Sequence, residues 1–361
     1  MTKTKRIKLV LNDGTVFYGK SFGYEGSSAG EVVFNTAMTG YPESLTDPSY
    51  KGQILTITHP LVGNYGVPRS ETKDEMLKFF ESDKIQVSGL IVSDYSQQHS
   101  HWNAEGNLSD WLKKNKVPGI YGIDTRALTK ILREQGCMLG KIIFEDQDIE
   151  FYDPNTDHLV AQVSLTKTKT YGSGKLKIIL VDCGVKNNII RCFIKRNVTV
   201  KRVPWDYDFT KEEYDGLFIS NGPGDPKMCD TTIKNLKKAL KQELPIFGIC
   251  LGTQLMALAA GADTYKLKYG HRSHNQPVIR VGTDSCYITS QNHGFAINTE
   301  SLPKEWDPLF MNVNDDTCEG IIHSSKPFFA SQFHPEASSG PVDTEFLFDE
   351  FIEMIEANKK L

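Results

Sequence analysis

The chain has little that would suit it to a membrane, to nucleic acid or to a disulfide framework. None of its apolar runs is long enough to span a bilayer, so we expect no membrane segment. It has no lysine-rich tract and its formal net charge is -4, which argues against a nucleic-acid partner. Its seven cysteines are odd in number and scattered, which indicates reduced thiols in a cytoplasmic protein. The basic first residues lead into an alternating strand pattern rather than an apolar secretory signal, which also favours the cytoplasm.

Histidines that could bind a metal occur in two pairs, His99 with His101 and His271 with His274. Neither pair has the nearby cysteine or carboxylate spacing that completes a metal site. The sequence also lacks a phosphate-binding loop and a region large enough for an ATP-grasp domain. We therefore expect no metal site and no cofactor in this chain.

A polar stretch with two glycines, residues 166–174, separates two halves of different pattern. With 361 residues, the chain is long enough for two hydrophobic cores. We predict an α+β domain over residues 1–156, where strand-like alternation dominates, then a linker over 157–175. Over residues 176–361, apolar strands alternate with helical patterns, which is typical of an α/β domain with a doubly wound, mostly parallel sheet.

One cysteine lies between two glycines where an apolar strand gives way to a helix. Residues 244–249 form a short apolar run, and residues 251–260 carry helix formers. Gly248 and Gly252 permit the sharp turn that exposes a nucleophile in G-x-S-x-G elbows, so Cys250 would occupy the nucleophile position. N–H groups at the start of the helix would point toward its sulfur and make it unusually reactive. A buried, inert cysteine is the alternative that this segment alone leaves open.

A histidine and a glutamate follow a later strand pattern, residues 328–333. Pro335 ends that strand, so His334 and Glu336 can both lie at its exposed end. A cysteine nucleophile needs a base to accept its proton and a third group to orient that base. We predict His334 as the base and Glu336 as the orienting carboxylate. Taken singly, each could instead be a structural histidine or a solvated surface charge.

A glycine-rich loop with the sequence S-N-G-P-G-D-P spans residues 220–226, directly after the apolar run 216–219. Ligands of open α/β sheets bind at the carboxyl ends of strands. Gly222 and Gly224 would let the backbone N–H groups turn inward and stabilise an oxyanion. A plain tight turn is the alternative.

These three segments together resemble the class I glutamine amidotransferases, whose signature is a glycine-rich oxyanion loop, a G-x-C-x-G elbow and a final H-P-E. The resemblance implies an amidotransferase-like fold for the C-terminal domain and a catalytic triad of Cys250, His334 and Glu336. The N-terminal half resembles the small subunit of carbamoyl-phosphate synthetase. The matching segments keep their order along the chain and are residues 11–17, 30–36, 38–41, 46–50 and 122–129.

The same resemblance implies which residues hold glutamine. Thr253 stands where relatives have histidine, and Ser273 and His274 depart from the family pattern G-H-x-G-x-N-x-P, but these changes leave the triad intact. The implied glutamine-binding residues are Ser49, Gly222, Gly224, Leu251, Gln254, Asn292, Gly294 and Phe295.

The activity that the resemblance implies is hydrolysis of glutamine through a glutamyl thioester. The ammonia would pass to a large synthetase subunit that makes carbamoyl phosphate from bicarbonate and ATP, for arginine or pyrimidine biosynthesis. ATP and metal ions are expected only on that subunit, which the N-terminal domain would dock. The alternatives are an amidotransferase subunit of another synthase, such as one making GMP or anthranilate, a non-catalytic regulatory scaffold, and a stand-alone thiol hydrolase.

Overall fold

The computed structural model describes residues 6–360, and the chain divides between Asp157 and His158 into two compact units. Unit 1 is the described chain up to Asp157, and unit 2 begins at His158. The division falls one residue after the predicted end of the N-terminal domain. Residues 1–5, whose basic character entered the prediction of location, lie outside the described residues, as does residue 361.

Unit 1 contains thirteen strands and three α-helices. The strands are β1 Arg6–Leu11, β2 Val16–Ser21, β3 Ser28–Asn35, β4 Gln53–Ile57, β5 Leu61–Val62, β6 Val67–Pro68, β7 Thr72–Lys73, β8 Met76–Leu77, β9 Gly89–Ile91, β10 Asp94–Tyr95, β11 Ala104–Gly106, β12 Gly119–Tyr121 and β13 Met138–Phe144. The helices are α1 Tyr41–Thr46, α2 Leu108–Lys114 and α3 Thr125–Gln135.

Seven strands of unit 1 form a closed barrel in the order β1-β13-β3-β4-β9-β12-β2. Parallel pairing joins β3 to β4, β4 to β9 and β9 to β12, and the other neighbours are antiparallel. In β1, Ile7, Leu9 and Leu11 are buried and alternate with more exposed residues, as expected when one face of a strand meets the core. This mixture of sheet and helix fits the α+β prediction.

The described part of unit 2, residues 158–360, contains ten strands and five α-helices. The strands are β14 Lys169–Tyr171, β15 Leu176–Asp182, β16 Val198–Pro204, β17 Gly216–Ile219, β18 Ile246–Ile249, β19 Thr264–Arg280, β20 Cys286–Ile297, β21 Trp306–Asn312, β22 Cys318–His323 and β23 Phe328–Ser331. The helices are α4 Leu159–Val163, α5 Asn187–Lys195, α6 Asp230–Ala239, α7 Leu251–Ala260 and α8 Phe346–Asn358. Within residues 6–360, none of the helices is both long and apolar enough to cross a membrane.

All ten strands of unit 2 form one sheet, in the order β14-β16-β15-β17-β18-β23-β22-β20-β19-β21. The five central strands, from β16 to β23 in that order, are parallel. The strands beyond β23 are antiparallel and include the long pair β19 and β20. The predicted mostly parallel sheet therefore describes the centre, and an antiparallel extension adds to one end.

The two faces of the central strands pack against different helices, because successive side chains of a strand point to opposite faces. Leu217 of β17 belongs to the same apolar cluster as Leu255 of α7. The next residue, Phe218, packs edge-to-face against Phe193 of α5 with ring centroids 5.0 Å apart. Phe193 in turn contacts Phe348 of α8 at 5.1 Å. Helices thus cover both faces, as the doubly wound prediction requires.

Most of the segment predicted as a linker, residues 157–175, is part of unit 2. It contains helix α4 and strand β14, which pairs with β16 at the edge of the sheet. Tyr171 is buried, and the N–H of Leu165 donates to the Asp182 carboxylate at 2.7 Å. The structure differs from the prediction here because a short edge strand with polar, charged side chains has the composition of a loop.

Candidate active site

Cys250 lies at the turn between β18 and α7. Its backbone φ of 55° and ψ of -105° fall in a region that residues other than glycine rarely occupy. Such a conformation costs on the order of 1–3 kcal/mol and is typical of functional sites. The backbone N–H of Cys250 donates to the carbonyl oxygen of Ser331 at 2.8 Å, which ties the turn to the end of β23. The predicted nucleophile therefore has the strained geometry of an elbow.

Gly248 and Gly252 make this turn sterically possible. A Cβ atom on Gly252 would lie 2.2 Å from the carbonyl oxygen of Ile219, and one on Gly248 would lie 2.8 Å from the carbonyl carbon of Gly252. A larger residue at either position would push α7 away from the sheet. The first N–H groups of a helix have no acceptor within it. The N–H of Thr253 donates to the carbonyl oxygen of Cys250, which leaves those of Leu251 and Gly252 for an anion beside Cys250.

His334 and Glu336 follow the end of β23 and form a buried pair. His334 Nδ1 lies 2.6 Å from Glu336 Oε1. Within residues 6–360, His334 Nε2 makes no hydrogen bond of good geometry, but the Cys250 thiol lies close enough to affect the ring. Burial alone would lower the pKa of His334, but Glu336 and the Cys250 thiol outweigh it and raise that pKa to about 10. The pair therefore favours the imidazolium form of His334, as a base that accepts a proton from a thiol requires.

Lys186 is a buried partner of this pair that the sequence analysis missed. Its ammonium lies 3.0 Å from Glu336 Oε1 and donates to the carbonyl oxygen of Ala337. Burial alone would raise the pKa of Glu336, but Lys186 and His334 outweigh it and lower that pKa to about 2. The carboxylate thus stays charged while fully buried. A lysine at the carboxyl end of β15, next to the switch into α5, was the available sequence signal.

Replacing Lys186 by methionine should destabilise the protein by about 2 kcal/mol or more, because the buried Glu336 would keep only His334 of its two cationic partners. In the wild type, Glu336 has a pKa lowered from 4.5 to about 2, so its contribution to stability is present above pH 4.5 and is lost as the pH falls through 2. The difference in free energy of unfolding between the wild type and the variant should therefore shrink as the pH falls below 4.5. Urea unfolding across this pH range measures this difference. Lys195→Met, at an exposed lysine, is the control and should change stability little. A deficit that grew on acidification would contradict the buried pair.

The glycine-rich loop 220–226 lies beside the elbow. A Cβ atom on Gly222 would lie 2.0 Å from the carbonyl oxygen of Cys183 and 2.8 Å from a methyl group of Leu251. Gly224 has φ 86°, which favours glycine. The loop backbone and the start of α7 are therefore close neighbours, an arrangement suited to N–H groups that share one oxyanion.

Two of the predicted glutamine-binding residues, Asn292 and Gln254, lie around the elbow. The Cys250 thiol donates to the carbonyl oxygen of Asn292 at 3.6 Å. Gln254 Nε2 donates to the carbonyl oxygen of Phe295 at 2.9 Å and to Gln332 Oε1 at 3.0 Å. Because these bonds use both hydrogens of the amide nitrogen, only the carbonyl oxygen of Gln254 is available to a ligand, as an acceptor.

The remaining predicted positions divide between the two units. Gly294 lies in β20 between Asn292 and Phe295, where a Cβ atom would meet an Arg272 side-chain nitrogen at 3.3 Å. Ser49 belongs to unit 1, in a 3-10 turn whose Asp47 carboxylate accepts from the Ser49 N–H at 2.9 Å. The structure thus groups the predicted residues of unit 2 around Cys250, and the role of Ser49 stays a prediction.

The departures from the family pattern have structural partners. The Thr253 hydroxyl donates to the carbonyl oxygen of Ser331 at 2.7 Å, which fits a shaping role beside the elbow. The Ser273 hydroxyl donates to the side chain of Asn275. Burial, with smaller contributions from Lys186 and His334, lowers the pKa of His274 to about 4. His274 therefore stays neutral beside the charged pair.

Two family models match the chain. "Glutamine amidotransferase class-I" matches residues 179–354, which lie in unit 2. "Carbamoyl-phosphate synthase small chain, CPSase domain" matches residues 9–142, which lie in unit 1. The triad residues and the loop 220–226 all fall within the first match.

Curated relatives match almost the whole chain but are much longer. The human protein "Carbamoyl-phosphate synthase [ammonia], mitochondrial" is 52% identical over 99% of this chain and 24% of its own length. The Saccharomyces cerevisiae "Multifunctional protein URA2" is 50% identical over 99% of this chain and 18% of its own length. The chain thus spans about a quarter or less of these relatives. A solved glutamine amidotransferase from Thermotoga maritima is 18% identical, with a TM-score of 0.40 over 52% of this chain and 86% of that one.

Proposed function

The chain belongs to the class I glutamine amidotransferases and carries the small-chain domain of carbamoyl-phosphate synthases, and from this premise we propose that it is the glutaminase of a carbamoyl-phosphate synthetase. The observation that carries the proposal is the intact set of strained Cys250, buried His334 and buried Glu336. Similarity to relatives does not decide whether glutamine or ammonia is the nitrogen donor, because the human relative is named as an ammonia-dependent synthase. A nucleophile, a base and an orienting carboxylate are the groups that release of ammonia from an amide requires.

The proposed reaction begins when His334 accepts the proton of the Cys250 thiol and the sulfur attacks the side-chain amide carbon of glutamine. N–H groups at the start of α7 and in the loop 220–226 would stabilise the oxyanion of the tetrahedral intermediate. His334 then gives its proton to the amide nitrogen, the C–N bond breaks, and ammonia leaves a glutamyl thioester. His334 next takes a proton from water, which attacks the thioester. The C–S bond breaks, glutamate leaves, and the proton returns to the sulfur.

Glutamine recognition is proposed for the polar groups around the elbow. The carbonyl oxygen of Gln254 can accept from the α-ammonium group, because its amide nitrogen is already held by Phe295 and Gln332. Asn292 and Gly294 bring strand β20 next to the thiol. Ser49 would contribute from unit 1 on the strength of the resemblance alone.

The proposed partner is a large synthetase subunit, or a synthetase region of a longer chain, that uses the ammonia with bicarbonate and ATP. Relatives such as the yeast protein are much longer than this chain, which supports a partner for its synthetic steps. ATP and metal ions would bind only on that partner. Free ammonia is lost to solvent or protonated, so we expect the partner to quicken glutamine hydrolysis by ordering the elbow and the oxyanion loop. The human relative is named as mitochondrial, and the cytoplasmic location stays a prediction.

The test is carbamoyl phosphate synthesis by the complex of this chain with its cognate synthetase, with ATP, bicarbonate and either glutamine or ammonia. The proposal predicts synthesis with both nitrogen donors, and hydrolysis of glutamine that is faster in the complex than in the free chain. Glutamine hydrolysis without carbamoyl phosphate would support the alternative of another synthase. Synthesis with ammonia only would support the regulatory scaffold and contradict the proposal.

A further inference from the structure

Three strands beyond the active site bring together a buried cluster that the proposed reaction does not use. His271 of β19 and His293 of β20 are paired across the ladder, and their rings are 4.9 Å apart and nearly perpendicular. Glu319 of β22 is fully buried, with Oε1 3.2 Å from His271 Nδ1 and 3.5 Å from His293 Nε2. Asp315 Oδ2 lies 2.8 Å from His271 Nε2. His271 is thus placed between two carboxylates.

The charges in this cluster follow from its contacts. Both ring nitrogens of His271 contact carboxylate oxygens, so both must carry a proton. Burial alone would lower the pKa of His271, but Asp315 and Glu319 outweigh it and raise that pKa to about 9. His293 is different, since burial lowers its pKa. Its Nδ1 lies 2.9 Å from the carbonyl oxygen of Phe295, and its Nε2 lies 3.3 Å from Gln291 Oε1 and 3.5 Å from Glu319 Oε1. Both ring nitrogens thus face oxygen atoms, and the Glu319 carboxylate opposes the effect of burial by favouring a proton on Nε2 while Nδ1 donates to Phe295.

Two routes connect Glu319 to the glutamine site. Through its side chain, Glu319 contacts the ring of His293, which donates to the Phe295 carbonyl oxygen that also accepts from Gln254. Through its backbone, the Glu319 carbonyl oxygen accepts from the N–H of Gln332 at 2.8 Å, and Gln332 Oε1 accepts from the same Gln254 amide. Of the two acceptors that fix Gln254, the Phe295 carbonyl oxygen is reached from the Glu319 side chain, and Gln332 is held by the Glu319 backbone.

We propose that Glu319, held by His271 and Asp315, is a positioning residue that keeps His293 against the Phe295 carbonyl oxygen and so sets the affinity for glutamine. This inference rests on the proposed function. Glu319 acts through His293, Phe295 and Gln254, and it takes no part in the chemistry at Cys250. Its removal therefore weakens substrate binding more than it slows the chemical steps.

His271, His293 and Glu319 also offer ligand atoms within 4.8 Å of one another, a spacing that could hold a metal ion. The described contacts favour the proton instead. Asp315 and Glu319 satisfy both N–H groups of a charged His271, and a metal on Nδ1 would displace the proton that Glu319 accepts. Metal binding is therefore the competing outcome of the test.

The test measures kcat and KM for glutamine in the complex, for the wild type, Glu319→Leu and Glu319→Gln. Glu319→Leu should raise KM about 10-fold, comparable to the loss of one hydrogen bond, and should change kcat by less than about 3-fold. Glu319→Gln should stay within about 3-fold of the wild type in KM, because its amide oxygen still accepts from His271. The exposed Glu353→Leu makes the same chemical change at the surface of unit 2 and should leave both constants unchanged.

His271→Gln gives a second measurement if Glu319→Leu does not fold. It keeps a hydrogen-bond donor toward Asp315 and removes the donor toward Glu319. It should therefore raise KM for glutamine, as Glu319→Leu does. An unchanged KM in a folded Glu319→Leu or His271→Gln overturns the inference, as does an equal rise in Glu319→Gln. One equivalent of zinc bound by the wild type and lost in Glu319→Gln would also overturn it in favour of a metal site. No glutamine hydrolysis by the wild-type complex would instead contradict the proposed function itself.

Discussion

Cys250→Ser should abolish glutamine-dependent synthesis of carbamoyl phosphate, with a loss on the order of 10⁴-fold or more, and should leave ammonia-dependent synthesis intact. A serine hydroxyl is a much weaker nucleophile than a thiol in a site built for sulfur. The substitution keeps the Cβ atom and the turn, and Gly248 and Gly252 are untouched, so α7 should keep its place against the sheet. Steady-state rates with each nitrogen donor measure the effect.

Cys286→Ser is the matched control, because Cys286 is the exposed cysteine of β20 in the same unit. It should leave both activities unchanged. If Cys250→Ser retained glutamine-dependent synthesis, the nucleophile would have to be sought elsewhere. Loss of both activities together would indicate damage to the complex rather than to the glutaminase.

His334→Asn should lower glutamine hydrolysis by about 10²- to 10⁴-fold, the usual contribution of a general acid–base residue. The asparagine amide can donate to Glu336 from about the place of His334 Nδ1, while the base at Nε2 is removed. Lys186 would still pair with Glu336, so the stability of the protein should change far less than its activity. Hydrolysis rates and thermal unfolding of the same preparation separate these effects.

His323→Asn makes the same substitution at the end of the neighbouring strand β22. It should leave glutamine hydrolysis near the wild-type rate. Hydrolysis by His334→Asn at more than a tenth of the wild-type rate would show that the proton is accepted by another group, and it would remove His334 from the proposed mechanism.

The elements that carry the proposed triad could be predicted, because a local sequence pattern marks each of them. The apolar run and helix formers around Cys250 predicted a helix over 251–260, and α7 spans Leu251–Ala260. The strand predicted at 216–219 is β17, Gly216–Ile219, and places the glycine-rich loop at its carboxyl end. Proline after His334 likewise predicted that a strand ends nearby, and β23 ends at Ser331, but His334 and Glu336 are buried there rather than exposed.

The contacts of the supporting residues could not be predicted, because they join segments far apart in the chain. Lys186 precedes α5 and meets Glu336 after β23. His271 and His293 face each other only in the register of β19 and β20, which shifts at two points along the ladder. Register of this kind depends on bulges and packing that no local pattern reports. The edge strand β14 was missed for a related reason, since its polar composition is that of a loop.

The most direct test of the central claim is labelling of the wild-type protein with a diazoketone analogue of glutamine, followed by mass spectrometry of its peptides. We predict that the label attaches to the peptide containing Cys250, that excess glutamine prevents it, and that glutamine hydrolysis falls in proportion to the labelled fraction. A label on another cysteine, or labelling that glutamine does not slow, would contradict the assignment of Cys250 as the nucleophile of a glutamine site.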